Sequence, residues 1–278
     1  MTTPVRVRRR PRHRPELAAL TGTAATRLTA AWALLAAAQT RLLRRLAPIR
    51  PGPGVAARIR AALADFNAAV AEFDRTARGI VERWAAQDLP TAYRDGALRA
   101  LAAIDRPAAT FRWTRDHQAT ITATTAVFYT DLIGRITEAV RRAHAFARAA
   151  TDAARTPQGA NPTALREQWP LDTIVYANDA RHPVRSWADA ALRYQGIALA
   201  NSGAINVSVW DLGCQWLQVV DGPDCGFRGH EDSDHADGTL RSAPDAAEWP
   251  TSHFGCIREW IPRPDLTDRP GLTSGDLA

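Results

Sequence analysis

The chain has 278 residues, 46% of them hydrophobic and 23% charged, with a formal net charge of +6. It is therefore long enough for one large domain or two smaller ones, and apolar enough to bury a core, which excludes a chain disordered throughout. No run of about 18 apolar residues occurs, so no membrane-spanning helix is expected, and three Cys, an odd number, argue against a disulfide framework and for thiols kept reduced.

The charge is distributed unevenly. Residues 1–15 carry Arg6, Arg8, Arg9, Arg10, Arg12 and Arg14 and no acid, while residues from 221 onward sum to −7. The N-terminal segment reads as a disordered basic tail suited to nucleic acid or an acidic protein surface. The acidic end is unsuited to DNA. Arg supplies every basic residue and Ala is abundant, as GC-rich coding produces, so Arg usage by itself says nothing about phosphate contacts. A stretch after the tail resembles a secretory signal only loosely, because Arg27 interrupts it.

In chain order, Glu16 to Arg45 carries apolar residues at helical spacing (Leu17, Leu20, Leu28, Trp32, Leu35, Leu42) and predicts a long helix. Residues 48–54, PIRPGPG, break it. Val55 to Trp84 repeats the pattern through Ile59, Phe66, Val70 and Phe73. Pro90 opens a short helix at 91–104, and Pro107 a long one reaching about Arg155. Antiparallel packing of these helices gives a bundle over 16–155. TPQGANP begins a linker at 156–170. Residues 172–184 read as two short strands around a polar turn. Ser186 is the expected N-cap of a helix ended by Gly203. INVSVW (205–210) and QWLQVVD (215–221) read as strands. A short helix is expected at 243–249, and the Pro/Gly/Ser/Asp-rich residues 265–278 as a disordered tail. The fold class is thus α+β, mainly α: a helical bundle at 16–155 and a small, loop-rich α+β module at 171–264.

That module holds the chemistry. In DGPDCGFRGHEDSDH, Cys225 and His230 are separated by four residues. In HFGC, His253 and Cys256 are separated by two, and 22 residues lie between the pairs. Two short-range pairs joined by a loop is how structural zinc sites are built, and two thiolates with two imidazoles suit tetrahedral Zn²⁺. His235 is a spare ligand that competes with His230. On spacing alone the segment reads about equally well as an acidic solvated loop with Cys256 as a small buried side chain. DSDHADG fails as a calcium loop: its Gly falls one position late and Ala243 stands at the twelfth position. The catalytic alternative is a metal-dependent nuclease or a Cys/His hydrolase using the same cluster. No GxSxG elbow and no phosphate-cradling Gly loop are present.

The combination VYANDARHPVRSWADAALR (175–193), DGPDCG (221–226), H-x-D-x-D-x-A-x-G-T-x-R (230–241) and HFGC followed by Arg258 resembles the C-terminal domain of MuF-like minor head proteins, the head-morphogenesis family of tailed bacteriophages. The likeness is to the actinobacterial type and covers about residues 170–264. Where many relatives have Pro-Asn, this chain has Phe254-Gly255, and the family's turn glycine falls on Asp179 or Ala180. The resemblance implies a virion component without enzymatic activity in the matching part. It implies association with the portal and other head proteins, contact with packaged DNA through the basic tail, and a location in the host cytoplasm during assembly. Oligomeric assembly is compatible with this role. The resemblance strengthens the zinc reading at Cys225, His230, His253 and Cys256.

Overall fold

The computed structural model describes residues 14–176 and 178–278. It is mainly α-helical with small antiparallel sheets. The elements are α1 (Pro15–Leu46), α2 (Val55–Arg83), α3 (Leu89–Ala103), α4 (Arg115–Ala154), α5 (Pro162–Gln168), β1 (Thr173–Val175), β2 (Arg181–Pro183), α6 (Val184–Asn206), β3 (Trp216–Val220), β4 (Leu240–Ser242), α7 (Ala243–Glu248) and β5 (Glu259–Pro262). π-helical turns at Trp84–Asp88 and Val207–Asp211 join α2 to α3 and extend α6. Among the described residues, no helix is long and apolar enough to cross a membrane.

Two compact units form, and neither is continuous in sequence. One comprises Met1–Gly22, Trp84–Phe128 and Ala190–Ala278; the other comprises Thr23–Arg83 and Tyr129–Asp189. The expected division into a bundle at 16–155 and a module at 171–264 is therefore corrected. The cause is helix length. α4 has 40 residues, about 60 Å at 1.5 Å per residue, more than a small domain covers, so successive stretches of α1, α4 and α6 are buried in different units.

The second unit is built mainly of helices, with the β1–β2 hairpin. Trp32 meets Phe73 edge-on at 4.8 Å and Trp187 at 5.9 Å, and Phe66 meets Phe146 at 5.7 Å. These residues repeat at helical spacing because each helix has one apolar stripe to hide. The expected linker 156–170 contains α5: Asn161 accepts hydrogen bonds from the Thr163 and Ala164 amides at 3.1 and 3.2 Å, and Pro162 supplies the preset φ of a first helical residue. β1 and β2 pair antiparallel with Ile174 opposite His182. Asp179 takes the left-handed position of their turn at φ 61°, a conformation Asp tolerates better than most side chains.

In the first unit β3 lies between β4 and β5, all antiparallel. Leu217 and Val219 of β3, Leu101 of α3, Ile205 of α6, Phe227 and Trp260 belong to its buried core. The expected strand at 205–210 is the end of α6 and its π-helical turn, and Gly203 does not terminate that helix. A Cβ on Gly203 would lie 2.0 Å from the Tyr93 carbonyl oxygen, and one on Gly96 1.7 Å from that of Ala200. The two glycines let α3 and α6 cross at backbone distance, and burial against α3 overrides the β-propensity of INVSVW. The helix ends instead at Gly213, φ 66°. Ser186 does not cap α6: the helix starts at Val184, and the Ser186 hydroxyl donates to the Pro183 carbonyl at 3.0 Å. At the same crossing His117 of α4, fully buried, shares a 2.6 Å hydrogen bond between Nδ1 and the Tyr93 hydroxyl, which also accepts from Asn206 at 3.0 Å.

The expected disordered tail 265–278 is ordered. The Leu240 amide donates to Asp276 O at 2.7 Å, the Gly275 amide to Leu240 O at 2.9 Å and the Ala278 amide to Gly238 O at 3.1 Å. β4 is an edge strand with unpaired amides and carbonyls, and the polar tail satisfies them. Composition favoured disorder; backbone pairing decided otherwise.

Candidate metal centre

Residues 221–227 and 251–258 meet beside the β3–β5 pair. Asp221 follows β3, and Arg258 immediately precedes β5, so the sheet sets the distance between the two loops. Arg258 is 0% exposed. Its Nε donates to Asp221 Oδ2 at 2.9 Å, and its terminal nitrogens donate to the carbonyls of Gly226, Phe227 and Trp249 at 3.0 to 3.1 Å. A buried guanidinium has five donors to satisfy, and two of this one's four hydrogen bonds go to backbone carbonyls of the loop that carries Cys225, at Gly226 and Phe227. The guanidinium also lies 5.1 Å from the centre of the Phe227 ring, whose other contact of this kind is Arg241 at 4.0 Å.

The loop itself is closed by local polar contacts. Asp232 accepts from the amides of Asp234 and Arg228 at 3.1 Å, and these two bonds hold its carboxyl below the usual carboxylate range. Arg241 forms a bidentate pair with Asp234, 2.7 Å on each arm. Gly226 has no room for a side chain: a Cβ would stand 2.2 Å from the Gly229 carbonyl oxygen. Ala236 donates to the Cys225 carbonyl at 3.0 Å, which fixes the backbone under the sulfur.

The candidate ligand atoms fall into two overlapping groups, Cys225–His230–His253 and Asp221–Cys225–Cys256, each with its atoms within 4.8 Å of one another. Cys225 is common to both. Of the four residues chosen from spacing, Cys225, His230 and His253 share one group, while Cys256 joins only the second, with Asp221 and Cys225. His235 is in neither: its backbone pairs with Gly226 and its side chain is exposed outside both groups. Two ligands of one tetrahedral zinc lie about 3.5 Å apart, given metal–ligand bonds of roughly 2.0–2.3 Å. Within each group the separations exceed that spacing by at most about 1.3 Å.

The two sulfurs are bridged by a hydroxyl. Cys225 Sγ lies 2.9 Å from Ser252 Oγ, which donates to Cys256 Sγ at 3.4 Å; Cys256 in turn lies 3.8 Å from both Asp221 oxygens. Ser252 has a single proton, so Cys225 is the donor to Ser252, and the chain runs thiol to hydroxyl to thiol to carboxylate. Burial, followed by the Asp221 charge, pushes the Cys225 thiol up to about 11 against the Ser252 hydrogen bond.

The imidazoles form the more open side. His230 and His253 stand edge to face, 5.0 Å apart. Burial and then the His230 charge hold His253 below the ordinary histidine value, which favours the neutral ring a metal requires. The Gly255 amide donates to His253 Nδ1 at 3.1 Å, and the Cys256 amide to the His253 carbonyl at 3.0 Å. Phe254 stacks on Tyr194 of α6 at 5.0 Å and 15°. That contact anchors the His253–Cys256 turn from outside.

Of the basic tail, Arg6, Arg8, Arg9, Arg10 and Arg12 lie outside the described residues. Arg14 is corrected: it is not a free phosphate contact. Its Nε pairs with Glu259 at 3.1 Å, and NH2 reaches Asn201 at 2.8 Å and the Arg258 carbonyl at 3.3 Å. Burial lowers its pKa. Spacing alone missed Asp221 and Ser252. Asp221 was visible in the DGPDCG turn, but only the folded sheet places it across from Arg258. Ser252 carried no signal beyond adjacency to His253. The third cysteine, Cys214, is buried elsewhere. Comparisons of the chain with protein-family models, curated proteins and solved structures found no match.

Proposed function

We propose that the chain is a minor head protein of a tailed bacteriophage, a structural and interaction component whose Cys/His segment is stapled by one zinc ion. The observation that carries the metal reading is that Cys225 stands within ligand range of His230 and His253 on one side and of Cys256 and Asp221 on the other, the last a carboxylate already held by Arg258. The donors are of the kinds Zn²⁺ takes, and the two loops are rigidly based. Zinc here would hold the loops at 225–230 and 253–256 together. The phage reading is supported by the order and spacing of the motifs between 175 and 258. It brings the portal and other head proteins as partners, the virion as location and the segment at residues 6–12 as the DNA contact.

A nuclease or Cys hydrolase is the alternative, and the site chemistry favours the staple. A Cys225 thiol near 11 is protonated at neutral pH and is a weak nucleophile.

Metal analysis by plasma mass spectrometry tests the staple: protein purified without chelator should carry one zinc per chain, and Cys225→Ser should lose it. Wild-type protein without metal refutes it. Incubation with plasmid DNA and Mg²⁺ or Mn²⁺ tests the alternative, because cleavage abolished by His253→Ala would replace the structural reading. A portal gene immediately upstream would support the head role, and absence of the chain from purified particles would refute it.

A further inference from the structure

We propose that the second unit carries a binding site for a phosphate group in the cleft between α4 and the β1–β2 hairpin. The cleft is about 500 Å³ and is lined from three segments: Arg135 and Arg142 of α4, Trp169 after α5, and Tyr176 and Arg181 of the hairpin. None of its lining residues is a candidate metal ligand.

Three observations carry this. First, the cations outnumber the acids: Arg135, Arg141, Arg142 and Arg181 line the cleft with Glu138 and Asp179, and Arg135 pairs with Asp131 at 3.5 Å. Glu138, also in the cleft, is taken by Arg141 in a bidentate pair at 2.7 Å on each arm. Arg142 and Arg181 instead donate to backbone carbonyls, those of Pro170 at 2.9 Å and Glu167 at 3.4 Å. A carbonyl accepts a hydrogen bond but cancels no charge, and each guanidinium keeps further donors. Second, Arg142 is held below its ordinary pKa by burial, and the charges of Arg181 and Arg141 add to the effect against that of Glu138. A bound anion would relieve that crowding. Third, Trp169 lines the cleft from the α5 side and sets an aromatic ring beside the cations, while its Nε1 is itself buried.

Guanidinium donors converging from α4 and from the hairpin match a tetrahedral anion with three or four acceptor oxygens better than a planar carboxylate with two. Arg135 lies over the Tyr176 ring at 4.5 Å, so the wall beside the cations is aromatic. A cleft of this volume admits a nucleotide-sized group. The shared chemistry is a phosphate, and its source is either a nucleic-acid strand or a free nucleotide.

Titration calorimetry on the full chain tests the site with three probes: inorganic phosphate, a nucleoside 5′-monophosphate and a short single-stranded oligodeoxynucleotide. Phosphate is expected to bind, and the probe that binds most tightly identifies the source. Arg181 is exposed, so Arg181→Ala should leave the circular dichroism spectrum unchanged while weakening phosphate binding about tenfold or more, the scale of a lost charged hydrogen bond. Arg142→Gln keeps a polar side chain on α4 without the charge and should weaken phosphate binding to a similar degree. Three results would overturn the site: no binding of any probe at 10 mM, unchanged affinity in both variants, or an oligoglutamate peptide binding more tightly than phosphate and each nucleotide probe.

Discussion

Arg258→Met is the sharpest test of how the candidate metal centre is built. Methionine keeps much of the volume but none of the donors. The substitution leaves the Asp221 carboxylate, 1% exposed, without its cation, and the carbonyls of Gly226, Phe227 and Trp249 without their donors. Removing one partner of a buried pair costs about 3–5 kcal/mol. At roughly 2–4 °C per kcal/mol for a domain of this size, the melting temperature should fall by about 6–20 °C. The double variant Arg258→Met, Asp221→Leu separates the two contributions. It removes the stranded charge but leaves the three carbonyls, so it should recover at least about 1 kcal/mol relative to strict additivity. Thermal melts and urea titrations of the four proteins give the cycle. A cost below about 1 kcal/mol for Arg258→Met, or additive single effects, would refute the claim that this guanidinium holds the loop.

Three further outcomes follow from other parts of the molecule. Gly203→Ala should destabilise by about 2–3 kcal/mol in urea titrations, because the added methyl meets the Tyr93 backbone and only a shift of α3 against α6 can make room; a neutral substitution would show that the crossing is looser than described. His230→Ala should reduce zinc content in the metal assay while His235→Ala leaves it unchanged, since only the first lies in a ligand group; the reverse result would reassign the ligand. Burial, followed by a lesser Asp265 charge effect, pushes the Cys214 thiol up to about 11 from an ordinary value of 9.0, against a hydrogen bond from the Arg263 backbone. The folded state therefore holds this proton more tightly than the unfolded chain. Its stabilisation is complete below about pH 9 and is lost as the pH rises toward 11, on the order of 2–3 kcal/mol. Cys214→Ala should flatten that part of a stability–pH curve, and a curve identical to wild type would exclude the effect.

What could be read in the sequence was what depends on local pattern. The helical stripes of α1 and α2 appear as repeated Leu, Ile and Phe, and the Pro/Gly run between them can be nothing but a break. The two Cys–His pairs were visible because each pair lies within one turn. Features that depend on distant partners could not be read. INVSVW has β-branched residues and no helical stripe of its own, yet α3 supplies the surface that makes it helix. Gly203 has the composition of a helix stop and serves as a crossing point. Residues 265–278 are polar enough to be solvated, but an edge strand with free amides waits for them. Arg14 belongs by sequence to a cationic tail and by structure to a buried ion pair with Glu259. Its partner is 245 residues away, and no pattern within the tail encodes that distance.

The same separation of local from distant contacts bears on what zinc would do here. A loop-rich, acidic segment suggests a module that folds only around its metal. The structure supplies that segment with other supports. Phe227, Ala236 and Trp260 are in a hydrophobic core shared with α3 and α6, Arg241 locks Asp234, and Arg258 binds three carbonyls. None of these contacts uses a candidate ligand side chain. Metal removal should therefore loosen the two turns that carry ligands, the exposed His230 turn and, less so because Phe254 stacks on Tyr194, the His253–Cys256 turn, and leave the β4–β3–β5 sheet paired. Hydrogen exchange reads the difference directly. With chelator, amides near residues 228–231 and 253–256 should lose protection, while those of Leu217, Val219 and Ile261 keep theirs. Protection lost across the sheet as well would mean that the metal, and not Arg258, is the centre on which this segment folds.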